Sequence, residues 1–162
     1  MLTDQKIFIS ILLLFLMACS NVAKTSVNAP DSVETNGEIP DLDTVLSNKS
    51  DALSAIRRAQ ANADIRAREQ RYNWFGFWGD RNDSDIESEV RSKLEVNIPG
   101  SQLAVESQEG MVIVSGIVST YQELKKITPL AQEIRGVKDV YVRATVGINL
   151  PPNHPSLIPP KG

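Results

Sequence analysis

The sequence predicts an α+β fold, in which a small αββαβ domain follows a separate N-terminal helix. Apolar residues recur every three to four positions in two segments, which predicts helices, and they alternate or run continuously in three others, which predicts strands. The order of these segments favours a three-stranded mixed sheet covered on one face by two helices. A length of 162 residues allows one ordinary domain with appendages.

The chain begins with an apolar run that is typical of an export signal. Residues 7–17, IFISILLLFLM, follow Lys6 and are fewer than the roughly 20 residues that a bilayer-spanning helix requires. Residues 1–18 are therefore interpreted as a signal peptide.

The sequence LMACS, residues 16–20, resembles the lipobox of bacterial lipoproteins, in which the cysteine sulfur receives a diacylglyceryl group. The resemblance implies that Cys19, the single cysteine, begins the mature protein and carries acyl chains such as palmitate. Two or more acyl chains hold a protein stably in a bilayer, so Cys19 would be a lasting anchor. Ser20 is not the aspartate that retains enterobacterial lipoproteins at the inner membrane, which favours the periplasmic face of the outer membrane. An ordinary signal peptide cleaved after Ala18 is the alternative.

Residues 19–46 are rich in polar residues and in breakers such as Pro30 and Pro40, and they show no helical or strand period. They are predicted to be a disordered tether behind the lipidated Cys19. Residues 47–80 follow as a helix, from about 50 to 72, and an aromatic segment. The helix has a thin, alanine-rich apolar stripe and an excess of arginine over acidic residues.

Arginine and aromatic residues lie close together at the end of this helix. Interfacial membrane elements use this combination, because indole rings sit at headgroup level and guanidinium groups meet phosphates. The alternative is that the aromatic side chains fold back onto the domain and add apolar area to a small core. The candidate membrane-binding residues are Arg66, Arg68, Arg71, Trp74, Phe75, Phe77 and Trp78.

The folded domain is predicted to span residues 81–148. Polar residues at 82–85 can cap a first helix that ends before Pro99, and residues 102–106 alternate as a first strand. A tight turn then leads into the stretch from Gln108 to Thr120, whose apolar residues predict a central strand covered on both faces.

Each face of this central strand carries its own apolar set. If the register follows the alternation, the helix-facing side chains are Val112, Val114 and Val118, and those on the opposite face are Met111, Ile113 and Ile117; the opposite register would exchange the two sets. Either the 50–78 segment folds over the second set, or that set is an exposed contact patch for a partner.

A second helix is predicted after a Ser-Thr capping pair, with a kink or a split at Pro129, because proline lacks an amide hydrogen and its ring clashes with the preceding turn. Gly136 is expected to end this helix, and residues 137–148 alternate as a third strand. Residues 149–162 contain five prolines and are predicted to be a Pro-rich disordered tail.

Two motifs of the domain resemble the BON domain, a family found in bacterial envelope proteins. They are EGMVIVSG at residues 109–116 and IRGVKDV at residues 134–140. The resemblance implies a non-catalytic domain that binds phospholipid membranes. Pro129 departs from the uninterrupted second helix of that family.

Several kinds of chemistry are excluded by composition. The only histidine, His154, lies in the tail, and one cysteine cannot form a multi-cysteine zinc site, so no catalytic triad, metal or cofactor is expected. A net charge of −3 and the absence of a GxxG loop argue against nucleic acid. The acidic cluster at the start of the first domain helix is interpreted as capping and solvated charge; it comprises Asp83, Asp85, Glu87 and Glu89.

The sequence therefore predicts an envelope lipoprotein without enzymatic activity. Its expected partners are the lipid bilayer, through acylated Cys19, and anionic phospholipid headgroups. The alternative is a protein-protein interaction or self-association module that uses Met111, Ile113 and Ile117.

Overall fold

The structure is a computed structural model and describes residues 22–75 and 81–150. The elements in this part of the chain are β1 (Ala23–Lys24), α1 (Leu42–Leu53), α2 (Ala55–Phe75), α3 (Asp83–Asn97), β2 (Gln102–Gln108), β3 (Met111–Val118), α4 (Tyr121–Gln132), β4 (Asp139–Val142) and β5 (Thr145–Val146). They confirm the predicted α+β class. Within the described ranges, no helix has both the length and the apolar character needed to cross a bilayer.

Polar side chains fix where the two domain helices begin. The side chain of Asn82 accepts a hydrogen bond from the amide of Ser84 at 2.9 Å, and Thr120 and Glu123 form a reciprocal capping box. These caps satisfy amides that the first turn of a helix leaves unbonded. Pro129 lies in the last turn of α4, and the helix continues past it without a split.

The sheet is mixed, with the strand order β1-β2-β3-β4 and with β5 also beside β3. β2 and β3 form an antiparallel hairpin, whereas β4 and β5 both run parallel to β3. These two strands are halves of the predicted third strand, and both keep the same register against β3. Pairing stops between them at Arg143 and Ala144, where the Arg143 amide donates to the Val114 carbonyl at 2.8 Å.

Helices α3 and α4 cover one face of the sheet and enclose the core. Val112, Val114 and Val118 are at most 1% exposed there, as predicted for the helix-facing side of the central strand. The core also contains Ile86, Val90, Leu94, Ile98, Leu103, Val105, Ile127, Ala131, Ile134 and Ala144.

The prediction of a disordered tether over residues 19–46 is wrong for its described part, residues 22–46. β1 pairs with the edge of β2, and the Thr25 hydroxyl accepts a hydrogen bond from the Leu103 amide at 2.9 Å. Residues 25–41, called the covering segment below, then lie on the sheet face that the helices leave open. Two of their apolar residues, Ala29 and Val33, are buried.

The single helix predicted for residues 50–72 is instead two helices, α1 and α2. They meet at Ser54, whose amide donates to the Asp51 carbonyl at 3.0 Å and whose hydroxyl accepts from the Arg57 amide at 3.2 Å. A serine that ends one helix and caps the next has no effect on the apolar spacing, so the break is invisible in the pattern. α2 packs on the outer side of α3 rather than on the sheet.

Candidate functional site

The interface between α2 and α3 is built mainly from charged side chains. Glu95 of α3 is almost completely buried and pairs with both Arg57 and Arg91. Asp64 of α2 accepts hydrogen bonds from two serines of α3, at 2.9 and 3.0 Å. Burial of the Asp64 carboxyl opposes its ionisation, but the hydrogen bonds from the serines and from Arg68 prevail and lower its pKa. Helix α2 is thus held mainly by ion pairs and hydrogen bonds.

The three candidate arginines of α2 have different environments. Arg68 donates to Asp64 at 2.8 Å and to Asp85 at 2.6 Å, and Arg71 reaches Asp85 at 3.1 Å. Arg66 is exposed and forms no ion pair with the described residues. Arg68 therefore belongs to the contact between α2 and α3, Arg71 reaches that contact while its side chain remains 56% exposed, and Arg66 is exposed without an ion pair to the described residues.

Asp83, the first residue of α3, fastens the helix to the β2–β3 turn. Its carboxylate accepts from the Ser107 hydroxyl at 2.6 Å and from the amides of Glu109 and Gly110 at 2.8 and 2.9 Å. Burial of the carboxyl raises its pKa, but these donors outweigh burial, and the net effect lowers the pKa of Asp83. Asp83 thus has a structural role.

The other members of the acidic cluster are also bonded. Glu87 accepts from the Ser107 amide at 2.9 Å, Asp85 pairs with two arginines of α2, and Glu89 pairs with Arg81. Asp85 and Glu89 are buried, so the expectation of solvated charge is wrong for these two. Burial raises the pKa of Glu87, although the Ser107 amide opposes the shift.

A cationic and aromatic cluster holds the C-terminal end of α2 against the domain. The guanidinium carbons of Arg81 and Arg135 lie 5.5 and 5.6 Å from the centroid of the Tyr72 ring. Arg81 also donates to the Arg135 carbonyl at 2.7 Å, and Arg135 donates to Asn73 at 3.1 Å. Cation–π contacts of this kind contribute about 0.5–2 kcal/mol each. They fix the direction in which α2 ends.

Trp74 lies directly beyond this cluster and is 82% exposed. The aromatic side chain therefore does not fold back onto the domain, at least at this position. Phe75 ends α2, whereas Phe77, Trp78 and the proposed lipidation site Cys19 lie outside the described residues. An exposed indole is the kind of side chain that membrane interfaces accommodate, because it is apolar with a polar N–H.

The sheet face opposite the helices is only half covered. Ile117 is 2% exposed, at the end of β3 where the Gly116 amide donates to Asn36 of the covering segment at 3.0 Å. Met111 is 42% exposed and Ile113 is half-buried. α2 does not reach this face, so the prediction that residues 50–78 cover the three residues is wrong for the described residues. Ile117 is thus buried, whereas Met111 and Ile113 remain partly exposed.

A groove of about 570 Å³ occupies the open half of this face. It is lined by Glu106, Gln108, Glu109, Met111, Ile113, Tyr141 and Arg143. Tyr141 and Arg143 are not among the candidate binding residues, although their alternation with Val140 and Val142 predicts that they lie on this face. The register agrees with that prediction for Tyr141, which lies beside Ile113.

The described residues offer surfaces suited to binding. No cluster of His, Cys, Asp or Glu that could hold a metal ion is found across residues 22–75 and 81–150. His154 lies outside those residues. The acids of α3 each have structural partners, and Trp74 and the groove are two of the places where large apolar side chains are exposed.

Comparison with known families identifies the second half of this structure. Residues 82–148 match the family model described as BON domain, so α3 to β5 form a BON domain, and β1, α1 and α2 precede it. BON domains are non-catalytic, are generally associated with the bacterial envelope, and bind phospholipids or mediate envelope interactions. Searches of curated proteins and of solved structures gave no significant match.

Proposed function

We propose, from the premise that residues 82–148 form a BON domain, that this chain is a lipid-anchored envelope protein that binds phospholipid membrane surfaces without catalysis. Its anchor is acylated Cys19, and its location is the periplasmic face of the outer membrane. The lipobox resemblance supports the anchor at Cys19, and Ser20 supports the outer-membrane location.

The observation that carries the membrane-binding proposal is the 82% exposure of Trp74. The indole stands at the end of a helix whose last turn is held by Tyr72, so the backbone that carries it is positioned before any contact with lipid. A backbone positioned in advance loses less conformational entropy on binding. Trp74 is therefore suited to insertion at headgroup level.

Charge makes a smaller contribution than the sequence indicated. Arg68 pairs with Asp64 and Asp85, Arg71 shares Asp85 with it, and Arg66 remains free to meet an anionic headgroup. Eight residues along a helix separate Arg66 from Trp74, which corresponds to about 12 Å. Binding by one inserted indole and one arginine depends weakly on salt, because only the charge contact is screened.

Co-sedimentation with vesicles tests this function. The probe is residues 19–162 with Cys19→Ser, which keeps β1 and the covering segment, mixed with vesicles of phosphatidylethanolamine and phosphatidylglycerol. We expect the chain to sediment with the vesicles and Trp74→Ala to reduce the bound fraction. An unbound chain at low salt would exclude membrane-surface binding by the domain.

Metabolic labelling with palmitate tests the anchor separately. We expect label in the wild-type chain and none in Cys19→Ala. Equal labelling of the two chains would show that Cys19 is not the lipidation site.

The groove favours a second candidate function, self-association of two copies. Glu106, Ile113 and Tyr141 lie side by side on adjacent strands. Arg143 is two residues after Tyr141, so Glu106 and Arg143 lie on opposite sides of Ile113. A two-fold axis parallel to the strands would place Glu106 of one copy opposite Tyr141 and Arg143 of the other. Light scattering after size exclusion tests this, with Ile113→Asp as the disruptive variant. A monomer at the highest soluble concentration would contradict it.

A further inference from the structure

The domain has two ends, and one of them collects several independent chain segments. The β2–β3 turn, the connection between α4 and β4, and the last turn of α2 meet there, and we call this the hairpin end. The Lys138 amide donates to the Gly110 carbonyl at 2.8 Å, and Arg135 bonds Asn73 of α2. Asp83 joins the start of α3 to the same turn.

The opposite end, called the far end, contains the start of α4 and the last described residues. Tyr121 begins α4 there and is 70% exposed. The Asn149 amide donates to the Pro40 carbonyl at 2.7 Å, so the chain reaches Leu150 at the far end. The eight residues of β3 separate the two ends by about 25 Å, at a strand rise near 3.3 Å.

The register of β1 shows where the chain enters the domain. Ala23 lies opposite Val105 and Lys24 opposite Ala104, so β1 is antiparallel to β2. The residues before Ala23 therefore approach from the side of Gln108, which is the hairpin end. Val22 is three residues after Cys19, and three peptide units span at most about 11 Å.

We infer that the hairpin end is the surface that faces the bilayer and that the far end points away from it. This inference rests on the proposed function, because it takes Cys19 as the anchor. The short connection to β1 places the anchor at the hairpin end, and the exposed Trp74 lies at that end as well. Met111, which is 42% exposed beside the turn, adds a second apolar side chain to this surface.

The partner that this surface fits is a bilayer of low charge density rather than a strongly anionic one. Arg135 and Lys138 are exposed there, but Glu109 and Asp139 are exposed at the same end and offset their charge. Contact is made by apolar insertion beside a short lipid anchor. The domain is then held directly on the lipid, and the chain beyond Leu150 departs from the side facing away from the membrane.

Tryptophan quenching by brominated lipids tests the orientation. The two natural tryptophans are Trp74 and Trp78, so a background with Trp74→Phe and Trp78→Phe contains none. One variant adds Met111→Trp at the hairpin end, and its matched control adds Tyr121→Trp at the far end. Both use the mature chain acylated at Cys19, or coupled through the Cys19 thiol to a maleimide lipid, in phosphatidylcholine vesicles.

We expect brominated lipid to quench the Met111→Trp protein at least several-fold more strongly than the Tyr121→Trp protein. Equal quenching, or stronger quenching at the far end, would overturn the inferred orientation. Unfolding midpoints confirm that each variant is folded, and Gln108→Trp replaces the first probe if Met111→Trp is not. If the unlipidated chain does not bind vesicles, the proposed binding activity is rejected. The quenching comparison would still decide the orientation of the anchored protein.

Discussion

Arg66 and Arg68 lie two positions apart on α2, and replacing each by alanine tests the distinction between an exposed and a structural arginine. The Arg68 side chain is 21% exposed and meets Asp85, which is 13% exposed. A hydrogen bond to a partly buried charge is worth about 1.5–3 kcal/mol, and the pair with Asp64 four residues earlier adds about 0.3–0.5 kcal/mol. Because Arg71 still reaches Asp85, we expect Arg68→Ala to lower the free energy of unfolding by about 2 kcal/mol.

Urea unfolding followed by circular dichroism measures this effect. With a slope near 2 kcal/mol per molar urea, the midpoint of Arg68→Ala falls by about 1 M. Arg66→Ala makes the same change of charge and helix propensity, and its free energy of unfolding stays within about 0.5 kcal/mol of the wild type. Equal midpoint shifts in the two variants would refute the assignment of Arg68 to the contact between α2 and α3.

Two further predictions concern the sheet and the turn. Gly116 has a φ of +119°, and a Cβ there would collide with the Gln102 carbonyl oxygen, so Gly116→Ala should lower the free energy of unfolding by more than about 3 kcal/mol. Gly147→Ala, whose Cβ would meet the Ile39 side chain, is the control. An equal loss of stability in the two variants would contradict the collision at Gly116. Asp83→Asn should cost about 1 kcal/mol at neutral pH. The folded-state pKa of Asp83 lies below its ordinary value of 3.8, so its ionised form stabilises the fold above that value and this stability is lost as the pH falls through the folded-state pKa. The difference between the wild type and Asp83→Asn should therefore narrow in urea titrations below pH 4, and a difference independent of pH would exclude this linkage.

The central part of the fold could be predicted from the sequence because patterns within each segment specify its helices and strands. Val112, Val114 and Val118 alternate along a strand, and a capping box precedes α4, so periodicity and cap chemistry specify both elements. The four acids at the start of α3 were interpreted as capping and solvated charge, and their individual partners were not foreseen. Buried pairs such as Arg81 and Glu89 leave no period in the sequence.

The covering segment could not be predicted, because its contacts are polar and distant in sequence. Asn36 bonds the amide of Gly116, 80 residues later, and the Ser32 carbonyl accepts from Ser115, 83 residues later. Neither contact depends on an apolar repeat. The same reason explains why Arg68 was predicted to face the membrane. Its partner, Asp85, is 17 residues away on another helix, and from its composition alone α2 resembles a basic membrane-binding helix.

The most direct test of membrane binding compares Trp74→Ala with Tyr121→Ala in vesicle titrations of the unlipidated chain. Trp74 is 82% exposed, and a tryptophan side chain offers about 200 Å² of surface, so half-insertion is worth about 2 kcal/mol at about 25 cal/mol per Å². We predict that Trp74→Ala weakens the apparent Kd about 30-fold, whereas Tyr121→Ala at the far end leaves it unchanged. Equal affinities for Trp74→Ala and the wild type would contradict the account.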